Sequence, residues 1–292
     1  MTETRPARVP AWSLAVTGIF SLQFGAAIAQ TQYETVGPVG AALLRLVFAS
    51  VILFAVLRPR FWRWSGREWL AVVVLGLALG GMNVLIYLSF QHIPIGVAIT
   101  IEFLGPLTLA LVQIRRWADA VWAALALGGV ALIGLQATVS LDPLGIAFAV
   151  GAGVCWVGYI LATANLGRRF DDASGLAMSM LVATLVAVPL GWQGAAAGLA
   201  SPLVLGVFAL VAVMSSVVPY ALELKALRTL PTRVFGILQS LSPGAAAVAG
   251  LLILGQALDW RELAALVLVT VASIGVTVSA GRAPAGRTPI VD

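Results

Sequence analysis

Two charged side chains sit inside strongly apolar runs, and they have the most chemistry to offer. Glu102 lies in I-P-I-G-V-A-I-T-I-E-F-L-G-P (93–106), and Arg45 in G-A-A-L-L-R-L-V-F-A-S (40–50). A carboxylate in such a setting can hold an ammonium group or a proton; a guanidinium can hold a carboxylate. Placing either at the middle of a bilayer costs about 2.5–3.5 kcal/mol, so each is expected to face the protein interior or a water-filled cavity. Together they have the charge pattern of a site for a zwitterion. The same pair also suits an ion pair that locks one helix to another, and the sequence leaves both readings open.

The Glu102 segment has a counterpart. Residues 230–243 read L-P-T-R-V-F-G-I-L-Q-S-L-S-P, so Pro94 and Pro106 recur as Pro231 and Pro243, each 137 residues later. Gly105 answers to Ser242, and Glu102 to Gln239. One copy keeps a carboxylate where the other has an amide. Pro94, Pro106, Pro219, Pro231 and Pro243 are the expected helix breaks. Lacking an N–H, Pro106 cannot serve the carbonyl of Glu102, nor Pro243 that of Gln239, nor Pro219 that of Ser215. Those three carbonyls are expected to be free for water or ligand.

Further polar groups fall at helical spacings within apolar runs. Asn83 and Tyr87 share a face, as do Ser216 and Tyr220, and so do Trp156, Tyr159 and Thr163. Gln23 stands near the middle of the first run. An aromatic stripe serves packing as readily as ligand contact. The candidate substrate-binding set is therefore Gln23, Arg45, Asn83, Tyr87, Glu102, Trp156, Tyr159, Tyr220 and Gln239, with Glu102 also the proton-coupling group. Glu223 falls at the end of its run, where pairing with Lys225, Arg228 or Arg233 competes with a transport role.

Other chemistries lack their residues. No G-x-x-x-x-G-K-[ST] segment occurs, so nucleotide hydrolysis is not expected. The lone histidine, His92, has no second His or Cys nearby in sequence to share a metal, and no base–nucleophile pair stands out. Cys155, the sole cysteine, sits in an apolar run as small filler. No cofactor, no metal and no enzymatic activity are expected.

The elements that must position these groups follow from composition. Of 292 residues, 61% are hydrophobic and 10% charged, with mean hydropathy +1.02. So few charges cannot build a soluble surface. Ten runs are long enough to span a bilayer: roughly 12–30, 36–57, 69–90, 95–113, 118–137, 144–164, 174–194, 203–223, 232–254 and 260–280. They are continuous rather than alternating, which excludes a transmembrane barrel. A net charge of +5 does not indicate nucleic acid, because the cations gather in alternate connections. Arg58, Arg60, Arg63 and Arg67 form one group, Arg115 and Arg116 a second, Arg168 and Arg169 a third. That bias puts both termini in the cytoplasm. Trp62, Trp64 and Trp69 mark an interfacial belt. Arg5 and Arg8 before an apolar run ending Ala27-Ile28-Ala29 imitate a signal peptide. Removing it would leave an odd helix count and break the duplication.

The duplication maps helices three and four onto eight and nine, giving five helices per half, 12–137 and 144–280. An odd number per half requires opposite orientations. The expected fold is thus an all-α integral membrane protein with ten transmembrane helices in two inverted five-helix repeats. Inverted repeats suit alternating access about a central site.

At these residues the sequence resembles the drug/metabolite transporter superfamily in its EamA branch. G-G-M-N-V-L-I-Y-L-S (80–89), the 93–107 segment, G-A-G-V-C-W-V-G-Y-I-L (151–161), S-S-V-V-P-Y-A-L-E (215–223) and L-P-T-R-V-F-G (230–236) look like the threonine/homoserine exporters. The resemblance spans nearly the whole chain. Arg45, Gln23, Asn83, Glu102, Tyr220 and Glu223 occupy positions matching that pattern. It implies efflux of small neutral amino acids by exchange for protons, in a bacterial-type cytoplasmic membrane. The implied partners are a small-molecule substrate, protons and lipid, in a monomer or weak dimer, with no nucleic acid. Export of another metabolite or drug is the alternative within the superfamily. A phosphorylated-sugar exchanger would need more cavity cations than Arg45. A channel is the alternative of another class.

Overall fold

The computed structural model describes residues 10–93, 95–112, 117–134 and 142–255, and beyond these only residues 260, 264, 267, 268, 271 and 272. All regular structure among them is helical. The chain runs through α1 (Ala11–Gln30), α2 (Tyr33–Leu57), a 3-10 turn (Phe61–Arg63), α3 (Gly66–Ser89), α4 (Ile95–Val112), α5 (Trp117–Gly134), α6 (Pro143–Arg169) and α7 (Ser174–Leu199). Next comes α8 (Pro202–Leu227), a long helix containing one π turn (Val213–Val217). The expected span 232–254 is two pieces, α9 (Thr232–Leu238) and α10 (Ser242–Leu254), joined by a 3-10 turn (Gln239–Leu241). Of the expected span 260–280, only the six positions named above are described, and they are helical. Pro94 lies outside the described residues.

Local chemistry sets the helix starts. Ser65 and Glu68 form a reciprocal capping box at α3: the Glu68 carboxylate accepts from the Ser65 N–H at 2.7 Å, and the Ser65 hydroxyl accepts from the Glu68 N–H at 3.4 Å. Asp142 accepts from the Leu144 N–H at 2.9 Å just ahead of Pro143, the first residue of α6. Near its start, α2 is interrupted at Gly37, which has φ +65° and precedes Pro38, a break that the sequence reading did not include. Only glycine adopts that conformation without strain.

Six helices, α1, α2, α3, α6, α7 and α8, are each long and apolar enough to cross a membrane. Their outward residues are large and apolar, such as Val56 (72% exposed) and Leu203 (73%). The chain is a multi-pass membrane protein. Packing of α2 is against α7, α3 lies against both α6 and α7, and α4 lies on α6. Helix α1 packs on the second half of α8 and on α10.

With lipid outside, burial drives little of this association, and small residues let backbones approach. A Cβ added at Gly105 would come within 2.1 Å of the Gly153 carbonyl oxygen, so α4 and α6 cross backbone to backbone. The α2–α7 crossing is as close: a Cβ at Gly194 would meet the Val36 carbonyl oxygen at 2.1 Å. Hydroxyls add polar links, among them Ser50–Thr184 at 2.8 Å and the Ser179 hydroxyl donating to the Val72 carbonyl at 3.0 Å.

Of the three carbonyls expected to be free, the backbone geometry corrects that expectation for Gln239 and Ser215. The Gln239 carbonyl accepts from the Ser242 N–H, because the chain tightens to 3-10 geometry there. In α8 the π register pairs each carbonyl with the fifth residue onward, shown by Val218 N–H reaching Val213. The carbonyl deprived by Pro219 is then that of Met214, and the Ser21 hydroxyl of α1 donates to it at 2.6 Å. The Glu102 carbonyl faces the backbone of Gly153, where an added Cβ would stand 2.7 Å away. At Pro219 and Pro243 a change of helical register answers the missing N–H.

Candidate functional site

A cavity of about 490 Å³ lies where α1, α2, α3, α4, α6, α8 and α10 converge. One end reaches Gln30, Tyr33, Phe90 and Leu254, at the ends of α1, α3 and α10 and the start of α2. The other end reaches Glu223, four residues before the last residue of α8. All nine sequence candidates, Gln23, Arg45, Asn83, Tyr87, Glu102, Trp156, Tyr159, Tyr220 and Gln239, line it. So do Glu223, Tyr33 and Ser242, outside the nine.

Among the residues whose burial is described, Arg45 is the only buried cation, and Glu102 and Glu223 are the only buried carboxylates. The α2–α3 pairing sets the surroundings of Arg45. One terminal nitrogen donates to the Asn83 side-chain oxygen, and Asn83 in turn donates to the Leu79 carbonyl at 2.8 Å, holding its amide in place. The Arg45 Nε has no protein partner. Its nearest electrostatic neighbours are Tyr87, Tyr220 and Tyr33, and the Tyr33 and Tyr87 rings meet edge-on at 6.4 Å.

Glu102 is 92% buried yet accepts no hydrogen bond and forms no ion pair among the described residues. The ion pair that the sequence left open between Glu102 and Arg45 is not formed among the described residues. The two share the cavity but not a bond, and the guanidinium donates to Asn83. Beside Glu102, Phe103 and Trp156 pack edge to face at 6.0 Å. A carboxylate and a guanidinium thus line one enclosure with largely apolar walls.

Glu223 is placed differently from the expectation that it might pair at the membrane surface. It is only 2% exposed. One carboxylate oxygen accepts from the Tyr159 hydroxyl and the other from the Gln239 amide at 3.1 Å. The Ser242 hydroxyl donates to the Gln239 side-chain oxygen at 3.3 Å, completing a chain from α10 to α8 to α6. Lys225 and Arg228 are exposed, and Arg228 instead donates to the Phe170 carbonyl at 2.6 Å and the Asp172 carbonyl at 3.0 Å. The Tyr159 and Tyr220 rings meet at a tilt, 5.6 Å apart, beside Glu223.

Two sequence candidates sit off the cavity. Thr163 is fully buried on α6, and Ser216 is buried in the π turn. His92 does have a partner, the Asp142 carboxylate at 2.7 Å, which ties the α3–α4 turn to the start of α6. Tyr33 carried no signal in sequence, since it opens α2 just after a polar turn.

Comparison with known proteins fits this architecture. The model of the EamA-like transporter family matches residues 143–278. The threonine/homoserine exporter RhtA of Salmonella typhimurium LT2 is 38% identical over 95% of this chain and 95% of its own length. RhtA of Escherichia coli K12 is 39% identical over 93% of this chain and 94% of its own. A crystal structure of another protein superposes with TM-score 0.75 at 17% identity, covering 93% of this chain and 99% of that one, a likeness of fold. The chain belongs to the EamA-like transporter family, a family of membrane transporters and not of enzymes.

Proposed function

We propose that this protein exports small neutral amino acids, of the threonine or homoserine kind, across a bacterial cytoplasmic membrane by proton-coupled alternating access. The observation that carries this reading is the cavity itself. A carboxylate without a partner among the described residues, Glu102, and a guanidinium, Arg45, line one space between apolar and aromatic walls. That is the complement of a zwitterion: the substrate carboxylate lies at Arg45 and its ammonium at Glu102. A proton on Glu102 competes with the ammonium, which couples efflux to proton uptake. The relatives named threonine/homoserine exporters, similar along nearly their whole length, support the substrate class.

The repeats, 12–137 and 144–280, are the moving parts in this reading. Their support is an exchange of helix partners: α1 packs on α8 and α10, while α6 packs on α3 and α4. With the amino terminus cytoplasmic, the cavity end at Gln30 and Phe90 faces outward. In this reading the opposite side is the closed one, and the contacts of Arg228 with the α6–α7 turn and of Trp64 with Phe170 at 4.9 Å support it.

Counterflow in liposomes with a panel of amino acids tests the reading. Internal threonine or homoserine is expected to accelerate uptake of the labelled compound. Flux that rises without saturation and shows no counterflow indicates a channel and removes the proposal.

A further inference from the structure

The transport reading uses Arg45 and Glu102 and leaves Glu223 without a task, although it is the more deeply buried carboxylate. We propose that Glu223 is a second proton-accepting group of the cavity, distinct from the ammonium site at Glu102. This rests on the transport reading above and adds a proton to its cycle.

Its surroundings carry the inference. From α6 it meets Tyr159, from the α9–α10 junction Gln239, and on α8 itself Tyr220 is the near titratable neighbour. From α1 it meets Gly18, where an added Cβ would lie 3.7 Å from the Glu223 Cγ. No cation pairs with it among the described side chains: Lys225 is exposed, Arg228 serves backbone carbonyls, and Arg45 is engaged by Asn83, while the Arg233 side chain lies outside those described. A carboxylate held by neutral donors, deep in a bundle but open to a cavity, is placed to take up a proton. Such intramembrane carboxylates act in proton relays.

Proton uptake has a structural consequence here. A proton from hydronium in the cavity bonds to a Glu223 oxygen, leaving water behind and cancelling the charge. That oxygen then needs an acceptor where it had a donor. Either the Tyr159 hydroxyl reverses its role, or the Gln239 amide turns and presents its oxygen, releasing Ser242. Gln239 begins the 3-10 turn between α9 and α10, so the proton is registered at a helix break.

The test uses the full-length protein in liposomes with the membrane potential clamped at zero. Threonine counterflow at symmetric pH shuttles the loaded carrier and needs no proton change; Glu223→Gln is expected to keep it. Net accumulation against a pH gradient counts protons. Losing one lowers the threonine gradient sustained by a one-unit pH difference about tenfold. Glu223→Asp, which keeps a carboxyl, is expected to restore it. An unchanged gradient in folded Glu223→Gln overturns the proposal, and so does loss of its counterflow, which would make Glu223 a substrate-positioning residue. Infrared titration reads the group without any substrate. The protonated-carboxyl absorption that grows on acidification is expected to be smaller in Glu102→Gln/Glu223→Gln than in Glu102→Gln by the contribution of one buried carboxyl; no difference between these variants overturns the proposal. Failure of wild-type counterflow would instead sink the transport reading and leave the infrared result standing.

Discussion

The two proline-bracketed segments share their spacing and differ in almost everything the spacing was meant to control. In the first, α4 runs unbroken past Pro106, and the carboxylate at its centre, Glu102, touches no hydrogen-bond donor. In the second, the helix is cut by a 3-10 turn at Gln239–Leu241, and the amide at its centre is bonded on both sides, to Glu223 and Ser242. In α4 the carbonyl left without a donor lies against the Gly153 backbone, whereas the second segment answers the missing N–H by tightening the backbone. Two segments of equal spacing thus treat their central polar groups differently: one has no partner among the described residues, and the other holds a neighbour.

The comparison breaks hardest at Glu102. Glu102→Gln is expected to lower pH-driven threonine exchange about a hundredfold while the folded yield stays at wild-type level. Wild-type exchange in that variant would show that the free carboxylate has no part in coupling. Next comes the docking of α4. Gly105→Val drives a side chain into the Gly153 carbonyl, and its expected penalty of about 2 kcal/mol is read by thermal unfolding in detergent. The equivalent change in the second copy, Ser242→Val, removes a donor and is expected to perturb less.

A smaller effect is expected at the second centre. Gln239→Leu strips one donor from Glu223 and is expected to destabilise the protein by about 1–3 kcal/mol. No loss of stability there would mean that water replaces the amide.

The smallest effect lies outside the membrane, at the start of α6. Asp142 is held below the ordinary carboxylate value, first by the Leu144 N–H and then by His92. A depressed carboxylate stabilises the fold above its unfolded value, and the benefit disappears as pH falls through the folded value. Asp142→Ala is therefore expected to melt slightly below wild type at neutral pH, with the two curves converging below about pH 4. A gap that persists in acid would assign the effect to something other than the charge.

Much of the site was readable because a bilayer makes polar residues expensive, so Gln23, Arg45, Asn83 and Glu102 had few places to go. Their convergence on one cavity follows from that constraint. Partnership was not readable. Arg45 and Glu102 share a depth, but depth leaves the angle about each helix axis unspecified, and Asn83 holds the guanidinium instead. Glu223 was misplaced because its apolar run was ended at 223, whereas α8 continues to Leu227. One extra turn moves a residue from the interface to the interior. The prolines announced breaks but not how each would be healed, since a 3-10 turn and a π turn both answer the same missing donor.

The π turn of α8 has a consequence for how this chain tolerates change in length. It holds a surplus of backbone relative to an α-helix, stored between Val213 and Val217. Deleting one residue there would remove the surplus and let the helix close into regular α form, leaving Tyr220 and Glu223 facing the cavity much as before. Deleting one residue earlier in α8, where no surplus is stored, would instead turn everything downstream by about 100° and swing both side chains away, although no residue lining the cavity had been altered. The π turn is thus where this helix should best forgive the loss of a residue.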